Sequence, residues 1–133
     1  MDKTTVAVFF SIYGDSFDLN YVTKVLEINP TETTIKGNIP ENKTRASVET
    51  SWSIGTEETI SYDINEQLST LINLLDNKKS ELLIIRKNFN VKISFLILVK
   101  VRNNETPAMY FDENTLEFIN YIKATIDIDL YIS

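Results

Sequence analysis

The chain contains no histidine and no cysteine, and only three glycines, Gly14, Gly37 and Gly55, among its 133 residues. Each absence removes a class of chemistry. Without imidazole, no side chain titrates near neutrality unless its surroundings strongly shift an Asp, Glu, Lys or Tyr. There is no thiolate nucleophile, no Ser–His pair, and no imidazole or thiolate to ligate a metal. Three scattered glycines build no phosphate-cradling loop. Long apolar runs are missing too. The opening Met1-Asp2-Lys3-Thr4-Thr5 is polar, and the apolar runs 6–10 and 95–99 fall far short of a membrane span. No secretory leader or lipidation motif is legible. These features predict a cytoplasmic protein that is not an enzyme, needs no cofactor or metal, and does not contact a membrane.

What is present is an ordinary globular composition, 43% hydrophobic and 24% charged, long enough for one domain over 1–133 with a real core. The net charge of −6 is unevenly placed. Residues 1–67 carry eleven acids and five bases, whereas residues 68–133 carry eight of each. The stretch 49–66 holds Glu49, Glu57, Glu58, Asp63 and Glu66 without a Lys or Arg, and 78–102 holds seven bases against Glu81 alone. That is a charge dipole along the sequence, not the basic surface of a nucleic-acid binder.

Periodicity gives the elements. Residues 5–13 read as a strand apolar on both faces, which predicts a central position. Asp18 is placed to cap a helix carrying Val22, Val25 and Leu26, with Phe17 and Val22 spaced as a hydrophobic staple and Pro30 as the stop. Residues 33–36 read as a short strand. Residues 45–54 alternate, with Ala46, Val48, Trp52 and Ile54 on the inner side. Asp63 and Glu66 have capping-box spacing ahead of a helix whose apolar face is Ile64, Leu68, Leu71, Ile72 and Leu75. Residues 76–79 are expected to end it, and Ser80 to cap a second helix through Leu82, Ile85 and Phe89. Residues 82–85 alone fit a strand equally well. Residues 91–101 are the clearest strand. A turn at 103–107, a short returning strand at 108–111, an Asp112-capped helix and an alternating strand at 126–132 complete the chain. Strand, helix, strand thus occurs twice, in 5–54 and in 91–132. The fold class is α+β, a single mostly antiparallel sheet with helices packed on one face. One version is a ferredoxin-like core with an inserted helical hairpin at 63–89.

Several of these residues together carry a resemblance. Tyr13-Gly14 precedes the Asp-capped helix, which runs into Leu26-Glu27-Ile28-Asn29-Pro30-Thr31 with Lys36-Gly37 after it. Trp52 sits in the second main strand, and the end reads Ile126-Asp127-Ile128-Asp129-Leu130-Tyr131. Over nearly its whole length the chain resembles domain-of-unknown-function family 4279, a group of short bacterial proteins. The resemblance implies an accessory or conflict-related role in bacteria and their phages. It assigns no activity or site residue.

The residues themselves point to a protein partner. Glu49, Glu57, Glu58 and Asp63, with Tyr62 as the aromatic contact, form the predicted binding surface for a basic toxin or effector. The corresponding function is a small acidic immunity or inhibitor protein. The alternative is a small-molecule-binding or regulatory domain with a pocket between sheet and helices. The segment 30–37 reads either as a binding loop or as a plain helix stop and turn. Trp52 is expected in the core. Lys92, Lys100 and Arg102 share a strand phase with Asp127 and Asp129, which predicts cross-strand ion pairs on the polar sheet face. The oligomeric state is left open.

Overall fold

A computed structural model describes residues 2–133. Its strands are β1 (Thr5–Gly14), β2 (Glu32–Thr34), β3 (Thr50–Gly55), β4 (Thr59–Ile60), β5 (Lys92–Val101) and β6 (Thr125–Ile132). The helices are α1 (Leu19–Leu26), α2 (Asn65–Leu75), α3 (Lys79–Phe89) and α4 (Glu113–Tyr121). The strands form one sheet in the order β2-β3-β1-β5-β6, with β4 continuing the β3 side of β1. All neighbours are antiparallel except β5 and β6, which run parallel. The chain is therefore α+β, with a mixed, mostly antiparallel sheet.

The order does not reproduce a ferredoxin-like core, whose split βαβ units set another strand between their two parallel strands; here β5 and β6 are parallel and directly adjacent, and β1 and β3 are antiparallel neighbours. The two strand-helix-strand units also differ. The β5-α4-β6 unit is a parallel crossover, whereas β1 and β3 flank α1 as antiparallel neighbours. The similarity of the two segments in sequence is thus not a structural repeat.

One sheet face carries the core. Val6, Val8, Phe10 and Ile12 of β1, Trp52 and Ile54 of β3, and Ile93, Phe95, Ile97, Val99 and Val101 of β5 are buried under the helices. Val22 and Leu26 of α1, Leu68, Leu71 and Leu75 of α2, Leu82 and Ile85 of α3, and Phe118 and Ile119 of α4 complete it. The Phe10 ring meets Phe95 edge-on at 5.2 Å and Trp52 at 6.5 Å, arrangements that ring quadrupoles favour. The Trp52 indole N–H donates to Thr23 Oγ1 of α1 at 2.9 Å, so the only polar atom of that side chain is satisfied inside the core.

Local signals explain most element ends. Asp18 accepts from the Tyr21 N–H at 3.1 Å and Asp112 from the Thr115 N–H at 2.8 Å, each capping its helix as the sequence predicts. The Thr115 bond also holds the Asp112 carboxyl below its ordinary pKa. Phe17 lies against Phe89, tying the start of α1 to the end of α3. Helix α1 ends before Pro30 acts. Glu27 takes the left-handed conformation (φ 57°) and its N–H bonds Thr23 O, a C-cap geometry that glycine enters more readily.

Four expectations are corrected. The strand expected over 45–54 begins only at Thr50, and Ala46 and Val48 are exposed, Val48 at 85%. Residues 45–49 belong instead to a loop whose Ser47 bonds Gly37 and Asn38, and no helix reaches over it. The stop expected at 76–79 is a 3-10 turn, Asp76–Lys78, that passes directly into α3, so an unbroken helical run replaces the hairpin. Ser80 lies inside α3 rather than at its cap. Residues 108–111 do not return along β5; Ala108 makes an isolated parallel bridge with Asp63.

Candidate functional site

Strand β1 is contacted along its far edge first by β3 and then by β4, and residues 56–58 bulge out between them. Thr56 holds the bulge in place: its N–H donates to Val8 O and its Oγ1 accepts from Val8 N–H, both at 2.9 Å. Glu57 and Glu58 therefore stand on a fixed kink, the kind of site where bulges re-aim side chains. Both are exposed.

The segment after β4 is tied down by a buried hydroxyl. Ser61 donates to Glu66 Oε1 at 2.6 Å and accepts from the Asp63 N–H at 3.3 Å. Asp63 Oδ1 accepts from the Asn65 N–H at 2.9 Å. The expected Asp63–Glu66 capping box is thus replaced by a Ser61–Glu66 bond, with Asp63 capping its own neighbour. Tyr62, between these anchors, points outward at 42% exposure.

A second segment is brought to this place from far along the sequence. The Ala108 N–H donates to Tyr62 O at 2.8 Å, the Ile64 N–H to Ala108 O at 3.1 Å, and Asn65 Nδ2 to Tyr110 O at 2.9 Å. Met109 and Tyr110 are exposed beside Tyr62, as is Ile60 two residues earlier. Two distant segments are thus paired here, one carrying exposed Ile60 and Tyr62 and the other exposed Met109 and Tyr110, with Glu57, Glu58 and Asp63 on the first. Sequence reading finds Tyr62 and the acids but misses Met109 and Tyr110. A single bridge between two loops leaves no periodic signal.

The predicted acids are not equivalent. Glu49 precedes β3, whereas Glu57 follows it; six extended residues put them about 20 Å apart at opposite ends of the strand. Glu58 is engaged on the open sheet face, where Lys100 Nζ donates to it at 2.8 Å and Thr5 Oγ1 at 3.1 Å. The Lys100 bond lowers the Glu58 pKa below its ordinary 4.5; desolvation opposes it, and the Thr5 bond adds a lesser lowering. The stabilisation from this pair is present above that ordinary value and is lost as pH falls through the lowered one. Lys100→Met should therefore cost a small amount of stability at neutral pH, because the pair is exposed and screened. The difference from wild type should shrink in denaturant titrations carried from neutral pH down through the ordinary carboxylate range, and vanish only below the lowered Glu58 value. A gap that persists at the acid end would mean that Lys100 acts through packing alone.

The cross-strand ion pairs expected of Asp127 and Asp129 do not form among the described residues. The register sets these acids opposite Leu96 and Leu98, while Lys100 lies opposite Tyr131 and Lys92 lies beyond the start of β6. Lys100 is taken by Glu58, and Arg102 donates to Ser133 Oγ at 2.7 Å. The segment 30–37 holds β2 and a turn at Gly37, whose φ of 89° suits glycine.

The space between sheet and helices is filled by core side chains, with Trp52, Phe10 and Phe95 fully buried there. A groove of about 650 Å³ instead runs between α2 and α4, lined by Asn73, Asp76, Asp112 and Asn120 among others. Lys79 Nζ sits 5.0 Å above the Tyr121 ring at its rim. Among the described residues no three carboxylates gather as a metal-holding group, and no helix is long and apolar enough to cross a membrane.

No curated protein and no solved structure matches the chain. The model of one protein family, the domain of unknown function DUF4279, matches residues 3–133, and the chain belongs to that family.

Proposed function

We propose that this is a small acidic protein-binding module, most concretely an immunity or inhibitor protein that blocks a basic toxin or defence effector by direct contact. One observation carries the reading. Exposed Tyr62 lies on one segment and exposed Met109 and Tyr110 on another, distant in sequence, and backbone pairing holds the two segments together, with Asp63 at the bridge and Glu57 five residues before Tyr62. Rigid, uncovered aromatic side chains are the usual anchors of protein interfaces. The surrounding acids steer a basic partner and make association sensitive to salt. Glu49 stands outside this surface, and Glu58, paired with Lys100, contributes less than Glu57.

The test is co-purification with basic proteins encoded beside this chain's gene. Wild type is expected to retain one at low salt and to lose it as salt rises. Tyr62→Ala combined with Glu57→Lys should abolish retention while leaving the fold intact, since both side chains are exposed. Undiminished retention by the double variant would remove the patch from the interface. The groove between α2 and α4 favours a second reading, a domain that binds a small polar molecule. A ligand-dependent rise in melting temperature without any protein partner would support it.

A further inference from the structure

The edge strand β6 differs from the opposite edge. Strand β2 is three residues long, which is one way in which sheets blunt an edge. Strand β6 has eight residues, with no proline, lysine or arginine among them. Its helix-side residues Ile128, Leu130 and Ile132 are 46%, 45% and 67% exposed, although they lie in register with the fully covered Ile97, Val99 and Val101 of β5. The helices therefore stop short of the last strand.

The backbone phase of β6 follows from one bond. The Ser133 N–H donates to Val101 O at 3.2 Å. Peptide groups alternate in direction along a strand, so Asp127, Asp129 and Tyr131 direct their N–H and C=O groups inward to β5. Ile128, Leu130 and Ile132 direct theirs outward, to no partner among the described residues. The residues with free backbone groups are thus also those with uncovered apolar side chains.

We infer that β6 pairs antiparallel with β6 of a second copy of this chain, about a two-fold axis at Leu130. Closed, isologous pairing is the usual geometry of a homodimer. In this register Leu130 faces Leu130 of the partner subunit and Ile128 faces Ile132 of the partner subunit, forming about six hydrogen bonds among outward-directed groups. On the other sheet face Asp129 lies opposite Tyr131 of the partner subunit. Within one protomer the Tyr131 hydroxyl already donates to Asp129 at 3.2 Å, so phenol and carboxylate are compatible neighbours. Competing registers are worse. An axis at Ile128 sets Asp127 against the partner's Asp129, and an axis at Asp129 sets that acid against itself; like charges directly opposite destabilise a sheet. Within β6, an axis at Tyr131 pairs only Leu130 with Ile132 of the partner subunit and leaves Ile128 outside the pairing. Charge and backbone phase together select Leu130. The pairing lies across the sheet from β4, so the Tyr62 surface stays open in both copies.

The test is hydrogen exchange on the full chain over a concentration series, with sedimentation to follow mass. The amides of Asp127, Asp129 and Tyr131 should be protected at every concentration, and those of Ile128, Leu130 and Ile132 should gain protection as the dimer fills. Leu130→Lys sets two ammonium groups face to face and should raise the dissociation constant roughly tenfold or more, with Trp52 emission unchanged. A monomer at all concentrations, a dimer whose Ile128, Leu130 and Ile132 amides exchange freely, or an unchanged dissociation constant for Leu130→Lys would each overturn the inference.

Discussion

Trp52→Ala is expected to destabilise the fold by about 3–5 kcal/mol, the range for removing a large aromatic side chain from a packed core. The indole is fully buried between the sheet and α1, and its loss opens a cavity beside Phe10. It also leaves Thr23 Oγ1 without the N–H that it accepts. A total near the top of the range is a large share of the stability of a domain this size. Denaturant unfolding measures it, and the emission of Trp52, the sole tryptophan, should be strongly blue-shifted in the native state. Emission resembling free tryptophan, or a cost below about 1 kcal/mol as for a surface change, would contradict the packing described for β3.

Thr4→Val should cost about 1–3 kcal/mol although it keeps the shape of the side chain, because a buried donor loses its only acceptor. Thr4 is fully buried, its Oγ1 accepting from the Arg102 N–H at 3.1 Å and donating to Glu105 O. This hydroxyl fastens the entry into β1 to the turn that follows β5. Besides lowering the denaturation midpoint, the substitution should speed exchange of the Arg102 amide above all others in the turn. A neutral Thr4→Val would mean that water takes over both bonds.

Most of the core was legible because its signals are strictly periodic. The inward faces of β1 and β5, the apolar stripe of α2 and the caps Asp18 and Asp112 each rest on contacts within a few residues, which is the range that sequence patterns report. The failures are of another kind. Alternation carried the expected strand back to Ala46 and Val48, but burial depends on whether a helix lies above, and none does. The polar run at Asp76 reads as a break, although three residues of tighter helix join α2 to α3 there with no intervening loop. In β6 the alternation of faces was right. Its parallel register beside β5, which separates Asp127 and Asp129 from the lysines, is a long-range property with no local trace. The candidate site divides the same way. Tyr62, Glu57 and Asp63 are close in sequence and stay together. Glu49 is carried off by the length of β3, and Met109 and Tyr110 arrive through pairings with residues more than forty positions away.

The position of β1 has a consequence for how the chain is made. It is made before every other strand of this sheet, yet it lies inside the sheet, with Thr5 paired to Lys100 and Tyr13 to Lys92. A nascent chain that ends before Lys92 has the β1–β3 pair and three of the four helices, but the row Val6, Val8, Phe10 and Ile12 still lacks the strand that will flank it. Non-local pairing of this sort delays folding until nearly all of the sequence is present, and apolar strands waiting for partners are the ones that aggregate. The yield of folded protein should therefore depend on the speed of translation through residues 60–100 and on chaperone capacity, more than on the stability of the finished domain.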